Sequence, residues 1–383
     1  MRNALIASFA ALLAVEVPAQ IGLQLATGVD GGVSVPADPL LVPPTGITVE
    51  AWITFDDATI PVNGLFYWPT IVRQNIQNGQ EVYNLRVSSG NTNARSLQWT
   101  IRAAGQLQNV TYTFAPGEFA QWTHVAATYD GQNLRIYKNG AQVAARTLAT
   151  VNELVYSGDV LRIGNGDAVA PGRETWNGMI DELRVWPVAR TAGEILATKD
   201  QALGTLPGKL LCFSLDGHTI DVASGLLGAT FGTTAFAPGA PTLLLSNPSV
   251  LAVGSSTTTC GRAIDALVTT APAIGNAEFA IWAARGPRPA NSALGILFGA
   301  TAAAPAGFPP VLGVDAAFDL NAVVYQVAIL GPTNALGNAR WPLPLPNDSS
   351  FPGVTLWFQW AFADAACGPQ GITTSDGLQI TLQ

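Results

Sequence analysis

Asp181-Glu182, inside the run MIDELRVW, is the best acidic pair this chain places on a strand-like segment. Retaining glycoside hydrolysis would use two such carboxyl groups about 5 Å apart on one face. Neighbours on a regular strand point to opposite faces, so this pair is expected not to act together. Glu50, in GITVEAWITF, is expected to stand alone. His124, in WTHVAATY, has no carboxylate or nucleophile beside it in sequence and reads as a packed or surface structural residue. His218 lies in a polar turn, and with only two histidines a zinc site is not expected. The chain contains no Gly-x-Ser-x-Gly elbow, His-Glu-x-x-His pair or phosphate loop. No catalytic residue is assigned, and the expectation is a protein that is not an enzyme.

The elements that would carry these residues are short strands. The chain has 383 residues, 39 Gly, 26 Pro, 48% hydrophobic residues and only 11% charged ones, which suits many strands joined by turns. A formal net charge of −8 speaks against nucleic acid as a partner. From Ile21 to Pro238, apolar and polar residues alternate in runs spaced roughly ten residues apart, the pattern of a sandwich or jelly roll. One helix-like piece interrupts them, TAGEILATKDQAL, with Thr191 as N-cap and Glu194 three residues on. After about residue 240 the charge collapses: residues 241–383 hold no Lys, four Arg and seven acids. Strand-like runs continue there (LAVGSSTTTC, AVVYQVAIL, VTLWFQWAFAD), so a second, smaller β-sandwich is expected over 241–383.

Residues 1–19 read as a signal peptide, with Arg2 ahead of the apolar stretch Ala4 to Val15 and Val17-Pro18-Ala19 before the cut. No later run reaches the length of a membrane-spanning helix, so a secreted or cell-surface protein is expected. Export makes the three cysteines interpretable. Cys260 and Cys367, both in the C-terminal third, are expected to form a disulfide. Cys212, in the apolar run KLLCFSL, is expected to be a buried free thiol.

A resemblance rests on residues 122–186. Trp122-Thr123-His124-Val125-Ala126 is followed by Tyr129-Asp130-Gly131, Leu134 to Tyr137 and Asn139-Gly140. Leu161-Arg162-Ile163-Gly164 and Gly178 to Trp186 come next in order. With VEAWI and Thr70 to Gln74 upstream, this set resembles the laminin-G-like branch of the concanavalin A-like lectin/glucanase jelly rolls. The module is expected over residues 20–238. The C-terminal module is similar to a terminal β-module of unknown role in exported bacterial proteins. The fold class expected is thus all-β, a concanavalin A-like jelly roll plus a smaller β-sandwich.

The resemblance implies non-catalytic recognition or adhesion, with a glycan or an extracellular protein as partner. The alternatives are a structural surface component without a specific ligand and, third, a glycoside hydrolase of the jelly-roll group. Phe66, Tyr67 and Trp68, in GLFYWPT, are the expected ligand-binding residues, because rings on a jelly-roll rim offer flat faces to sugars. Some relatives hold a rim-bound calcium. Oxygen donors here include Asp30, Asp56, Asp57, Asp167 and Asp181, of which Asp30 and Asp181 are the expected calcium ligands.

Overall fold

The computed structural model describes residues 20–383 apart from 27, 59–66, 75–80, 90–94, 157, 167–173, 203–207, 222, 224, 246–249, 257–262, 289–293, 307–309, 312–313, 335, 365 and 367–368. The expected signal peptide, Phe66, Asp167 and the expected Cys260–Cys367 disulfide lie outside the described residues.

Two sheets face each other across the first core. The eight-stranded sheet runs Ala141–Thr147, Asn133–Lys138, Thr123–Tyr129, Ile47–Ile53, Gly178–Trp186, Ile21–Leu25, Ala235–Pro238, with Leu211–Phe213 also pairing to Gly178–Trp186. The seven-stranded sheet runs Ala229–Gly232, Gly31–Val35, Leu161–Ile163, Thr70–Gln74, Tyr83–Ser89, Arg95–Ala103, Gln106–Thr113. Alternation does the sorting. Val49, Ala51 and Ile53 from one sheet meet Leu85, Trp99 and Ile101 from the other in a continuous apolar cluster. The buried Trp99 indole still finds an acceptor, donating Nε1–H to the Thr128 carbonyl at 3.1 Å. At Asn139-Gly140, φ values of 49° and 82° close the tight turn that alternation asks for. Gly140 is required twice over there, because a Cβ would lie 2.8 Å from the Leu196 side chain and 2.9 Å from its Cα.

Helix α1 (Ala192–Thr198) follows. Thr191 Oγ1 accepts from the Glu194 N–H and Glu194 Oε2 accepts from the Thr191 N–H, a complete capping box. The helix lies on the outer face of the eight-stranded sheet, with Ile195 packed on Ala126 and Tyr137.

Residues 250–381 build a five-stranded and a three-stranded sheet. The first runs Val250–Val253, Ile372–Thr381, Thr355–Ala363, Leu294–Ala300, Val323–Leu330. The second runs Asp265–Leu267, Ala280–Ala284, Ala339–Pro342. Their core recruits Trp186 and Val188 from the jelly roll, so the two modules share apolar packing. Cys212 is a free, buried thiol on the Leu211–Phe213 strand, and burial pushes it up to about 11. It is expected to resist a thiol-alkylating reagent at pH 8 until the protein unfolds, which mass spectrometry with and without denaturant reads directly.

Candidate functional site

Polar side chains converge at two places, on the outer faces of the two jelly-roll sheets. The first is sealed. Cross-strand register places Glu50 opposite Arg184, and Asp181 opposite Trp52, which is itself opposite His124. Glu50 does not stand alone. Arg190 Nη1 reaches both its carboxylate oxygens at 2.8 Å, Trp186 Nε1–H donates to Oε1 at 2.9 Å, and Arg184 Nη1 lies at 3.6 Å. Arg190 also donates to the carbonyls of Glu194 and Thr269, each at 2.8 Å. Glu194 Oε1 accepts from Trp282 Nε1–H at 2.9 Å and Arg340 Nε–H at 3.0 Å. One chain of charge-assisted bonds therefore runs from the jelly roll through α1 into the second module. Burial alone would raise the Glu50 carboxyl, but Arg190 and then Arg184 hold it below the ordinary carboxylate range. His124 Nε2 is 3.8 Å from Glu50, yet burial pulls the imidazole down to about 4, so it is neutral at pH 7.

The Asp181-Glu182 pair departs from the expected alternation. Glu182 has φ +48°, and two residues there oppose one on the Ile47–Ile53 strand, which is a β-bulge. The bulge brings Glu182 to the same outer side as Arg184, whose Nη2 it holds at 2.8 Å. Asp181, Glu182 and Glu50 therefore share a face, contrary to the strict alternation read from the sequence. Their relative exposures are 0%, 4% and 0%, so the cluster is closed to any substrate in this structure.

Asp181 was also an expected calcium ligand with Asp30. The structure does not bring the two together. Asp181 shares the outer face of the eight-stranded sheet with Trp52, whereas Asp30 precedes Gly31–Val35 in the seven-stranded sheet and accepts from Asn165 Nδ2 at 2.8 Å. Both Asp181 carboxylate oxygens are buried without a hydrogen-bond partner, and burial, then the Glu182 and Asp216 charges, raise the group to about 9. A neutral carboxylic acid on one sheet and an amide-bound carboxylate on the other do not fit one shared ion. Among the described residues, no group of three or more His, Cys, Asp or Glu is placed to hold a metal.

The second place is the outer face of the seven-stranded sheet. Register aligns Ser34, Arg162, Arg73, Asn84, Thr100 and Asn109 in one row across six strands. Arg73 is fixed by Glu81 at 2.7 Å, Glu174 at 2.9 Å and the Gly166 carbonyl at 2.7 Å. The Asn84 amide is buried with neither its oxygen nor its nitrogen partnered. In the next row Arg86 lies over the Trp68 ring, 4.2 Å from its centroid, and donates Nε–H to Gln98 Oε1 at 3.0 Å. Arg162 lies over Phe231 at 4.4 Å. Thr111, Thr113 and Asn109 expose hydroxyls and an amide along the same face. At the end of the sheet a cavity of about 600 Å³ is lined by Arg102, Val151, Asn152, Tyr156 and Arg288, where Arg288 of the second module pairs with Glu153. Of the aromatic run, Trp68 joins this face, while Tyr67 turns inward and belongs to the apolar core. The arginines were missed at the sequence level. The available signal was the recurrence of Arg at polar positions of strands (Arg73, Arg86, Arg102, Arg162) in a chain with only 18 Lys and Arg.

The jelly roll thus has one outer face sealed by the second module and another whose polar side chains are buried at its centre (Arg73, Asn84, Gln98, Thr100) and exposed at the Gln106–Thr113 edge. Residues 27–196 match the family described as the concanavalin A-like lectin/glucanases superfamily. A stretch of 92 residues is 38% identical to Pappalysin-1 of Homo sapiens, covering 23% of this chain and 5% of that protein. The mouse (Mus musculus) Pappalysin-1 is 38% identical over 88 residues, 22% of this chain and 5% of that one. The chain thus spans a small fraction of the length of these curated relatives. Among solved structures, a candidate carbohydrate binding protein from Bacteroides ovatus is similar at TM-score 0.44 and 23% identity, covering 58% of this chain and 62% of that one. A heptameric SAP-like pentraxin from Limulus polyphemus is similar at TM-score 0.37 and 14% identity, covering 58% and 95%. Among the described residues no helix is long and apolar enough to cross a membrane.

Proposed function

We propose that this is an extracellular, non-catalytic binding protein whose laminin-G-like domain recognises a glycan on the outer face of the seven-stranded sheet. The observation that carries the reading is the combination, on one face, of an aromatic ring (Trp68), guanidinium groups (Arg86, Arg102, Arg162) and exposed amide and hydroxyl groups (Asn109, Thr111, Thr113). Sugars offer apolar C–H faces to rings and paired hydroxyls to planar donors and amides, so each group has a defined task. Arg86 is central because Trp68 and Gln98 both hold its guanidinium in place before any ligand arrives.

The full chain is expected to give a saturable hit on a glycan array. Arg86→Ala is expected to weaken that binding by about ten- to thirtyfold, the loss of one pre-organised charged contact, in a chain that still unfolds cooperatively with a modestly lowered midpoint, since Gln98 loses its donor. Saturable binding that Arg86→Ala leaves intact would move the site off this face. Absence of any glycan hit would favour an extracellular protein partner or a purely structural surface component.

A further inference from the structure

We propose that the second module carries a binding pocket for an uncharged, hydrocarbon-rich small molecule, independent of the glycan face. The pocket is a cavity of about 310 Å³ between the outer face of the five-stranded sheet and the segment 314–320. Along the Leu294–Ala300 and Thr355–Ala363 strands, Leu297, Phe358 and Trp360 face the module core. The alternate residues form the pocket floor in register: Ile296 opposite Ala361, Ala361 opposite Thr374, and Leu294 opposite Ala363. Val314, Phe318 and Leu320 form the other wall, with the Phe318 ring 5.6 Å from that of Phe298.

The wall is pinned, which is why the space does not collapse. Gln359 Oε1 accepts from the Ala317 N–H at 2.9 Å, and its Nε2 donates to the Asp315 carbonyl at 3.0 Å and the Ser375 carbonyl at 2.8 Å. The Asp319 N–H donates to the Ala302 carbonyl at 3.0 Å. Protein interiors close to crystal-like density, so a preserved apolar space of this size, near the lower end of ligand pockets at about 300–1,000 Å³, has the dimensions of a small ligand.

The lining chooses the ligand's chemistry. The Gln359 amide is committed to holding the wall, so the surface offered to a ligand is aliphatic and aromatic. A sugar there would leave its hydroxyls unpaired. Among the described residues an anionic head group finds no unpaired cation: residues 241–383 contain no Lys, and of their four Arg, Arg285, Arg288 and Arg340 are paired with Asp265, Glu153 and Glu194, while Arg262 lies outside the described residues. The one charge at the lining is Asp315, exposed and negative, which repels a carboxylate. A neutral hydrocarbon chain or ring satisfies every wall.

The test uses the full chain and the uncharged dye N-phenyl-1-naphthylamine. Its fluorescence is expected to rise saturably with one site per chain, and 1-decanol is expected to displace it at least about tenfold more effectively than decanoate. Ala361→Phe, which fills the floor, is expected to abolish the rise. Asp315→Lys, which replaces the negative charge at the lining with a positive one, is expected to bring decanoate level with decanol as a competitor. Failure of the dye to saturate, an unaltered signal in Ala361→Phe, or equal competition by decanoate in the unmodified protein would each overturn the proposal. Displacement by neutral phosphatidylcholine vesicles as effective as by decanol would overturn the assignment to a free small molecule. Glycan binding on the seven-stranded sheet plays no part in these readings, so the two proposals fail separately.

Discussion

Glu50→Gln is expected to lower the stability of the whole chain by about 3–5 kcal/mol, measured by urea unfolding with tryptophan fluorescence. The shape of the side chain survives, but the charge that compensates two buried guanidinium groups does not. Arg184 keeps Glu182 at 2.8 Å, whereas Arg190 is left with carbonyls and a threonine hydroxyl. An uncompensated buried charge is far more costly than the intact pair is stabilising, which sets the sign and the scale. The two cores are expected to loosen together, because Arg190 is bonded to the Thr269 carbonyl and Glu194 to the Trp282 indole. The pH dependence carries the same signature. Glu50 is held below its ordinary value, so its contribution is present above the unfolded-state value near 4 and is lost as pH falls through the folded one. The variant is expected to lose that part of the acid limb. Asp200→Asn, which breaks the exposed Lys199–Asp200 pair, is expected to change stability by less than about 1 kcal/mol. A Glu50→Gln effect no larger than that would show the network to be dispensable.

Local chemistry was legible in the sequence wherever the determinant was local. Asn139-Gly140 had to turn, Leu134 and Ile136 had to face the core, and Thr191 with Glu194 had to start a helix; each sits as its residue type requires. Non-local partners were not legible. Glu50 meets Arg190 across 140 positions, and Trp282 meets Glu194 across 88, distances over which no spacing rule operates. The bulge was illegible for a different reason. Glu182 at positive φ is held by the pairing of its strand with neighbours on both sides, and nothing in the residues IDEL announces it. Strict alternation therefore misplaced one carboxylate, and with it the argument that Asp181 and Glu182 could not share a face. The aromatic run Phe66-Tyr67-Trp68 shows the same limit from the other side: period-two alternation predicts that neighbours diverge, and Tyr67 and Trp68 do, but the sequence does not say which one faces out.

Asp181→Asn is expected to stabilise the protein by roughly 2–4 kcal/mol at pH 8 and to confer no advantage below pH 4. The carboxyl is fully buried, has no hydrogen-bond partner on either oxygen, and is raised to about 9, first by burial and then by the neighbouring Glu182 and Asp216 charges. In the unfolded chain the same group titrates near 4. Between those two values the folded state holds a proton that the unfolded state has released, so stability falls as pH rises through this window, at up to about 1.4 kcal/mol per pH unit. An amide removes the titration, and the loss of stability from pH 4 to pH 9 is expected to flatten in the variant. The amide's own donors enter the same unpartnered space, which is why the gain is set below the full electrostatic difference. Guanidinium chloride unfolding at a series of pH values reads both limbs, provided each series is run with calcium and with chelator. A cation seated on Asp181 would hold the carboxylate ionised and reverse the outcome: the unmodified protein would gain stability with calcium, and Asp181→Asn would lose it. Equal curves with and without calcium, together with a flattened slope in the variant, leave Asp181 as a buried acid whose proton the fold itself retains.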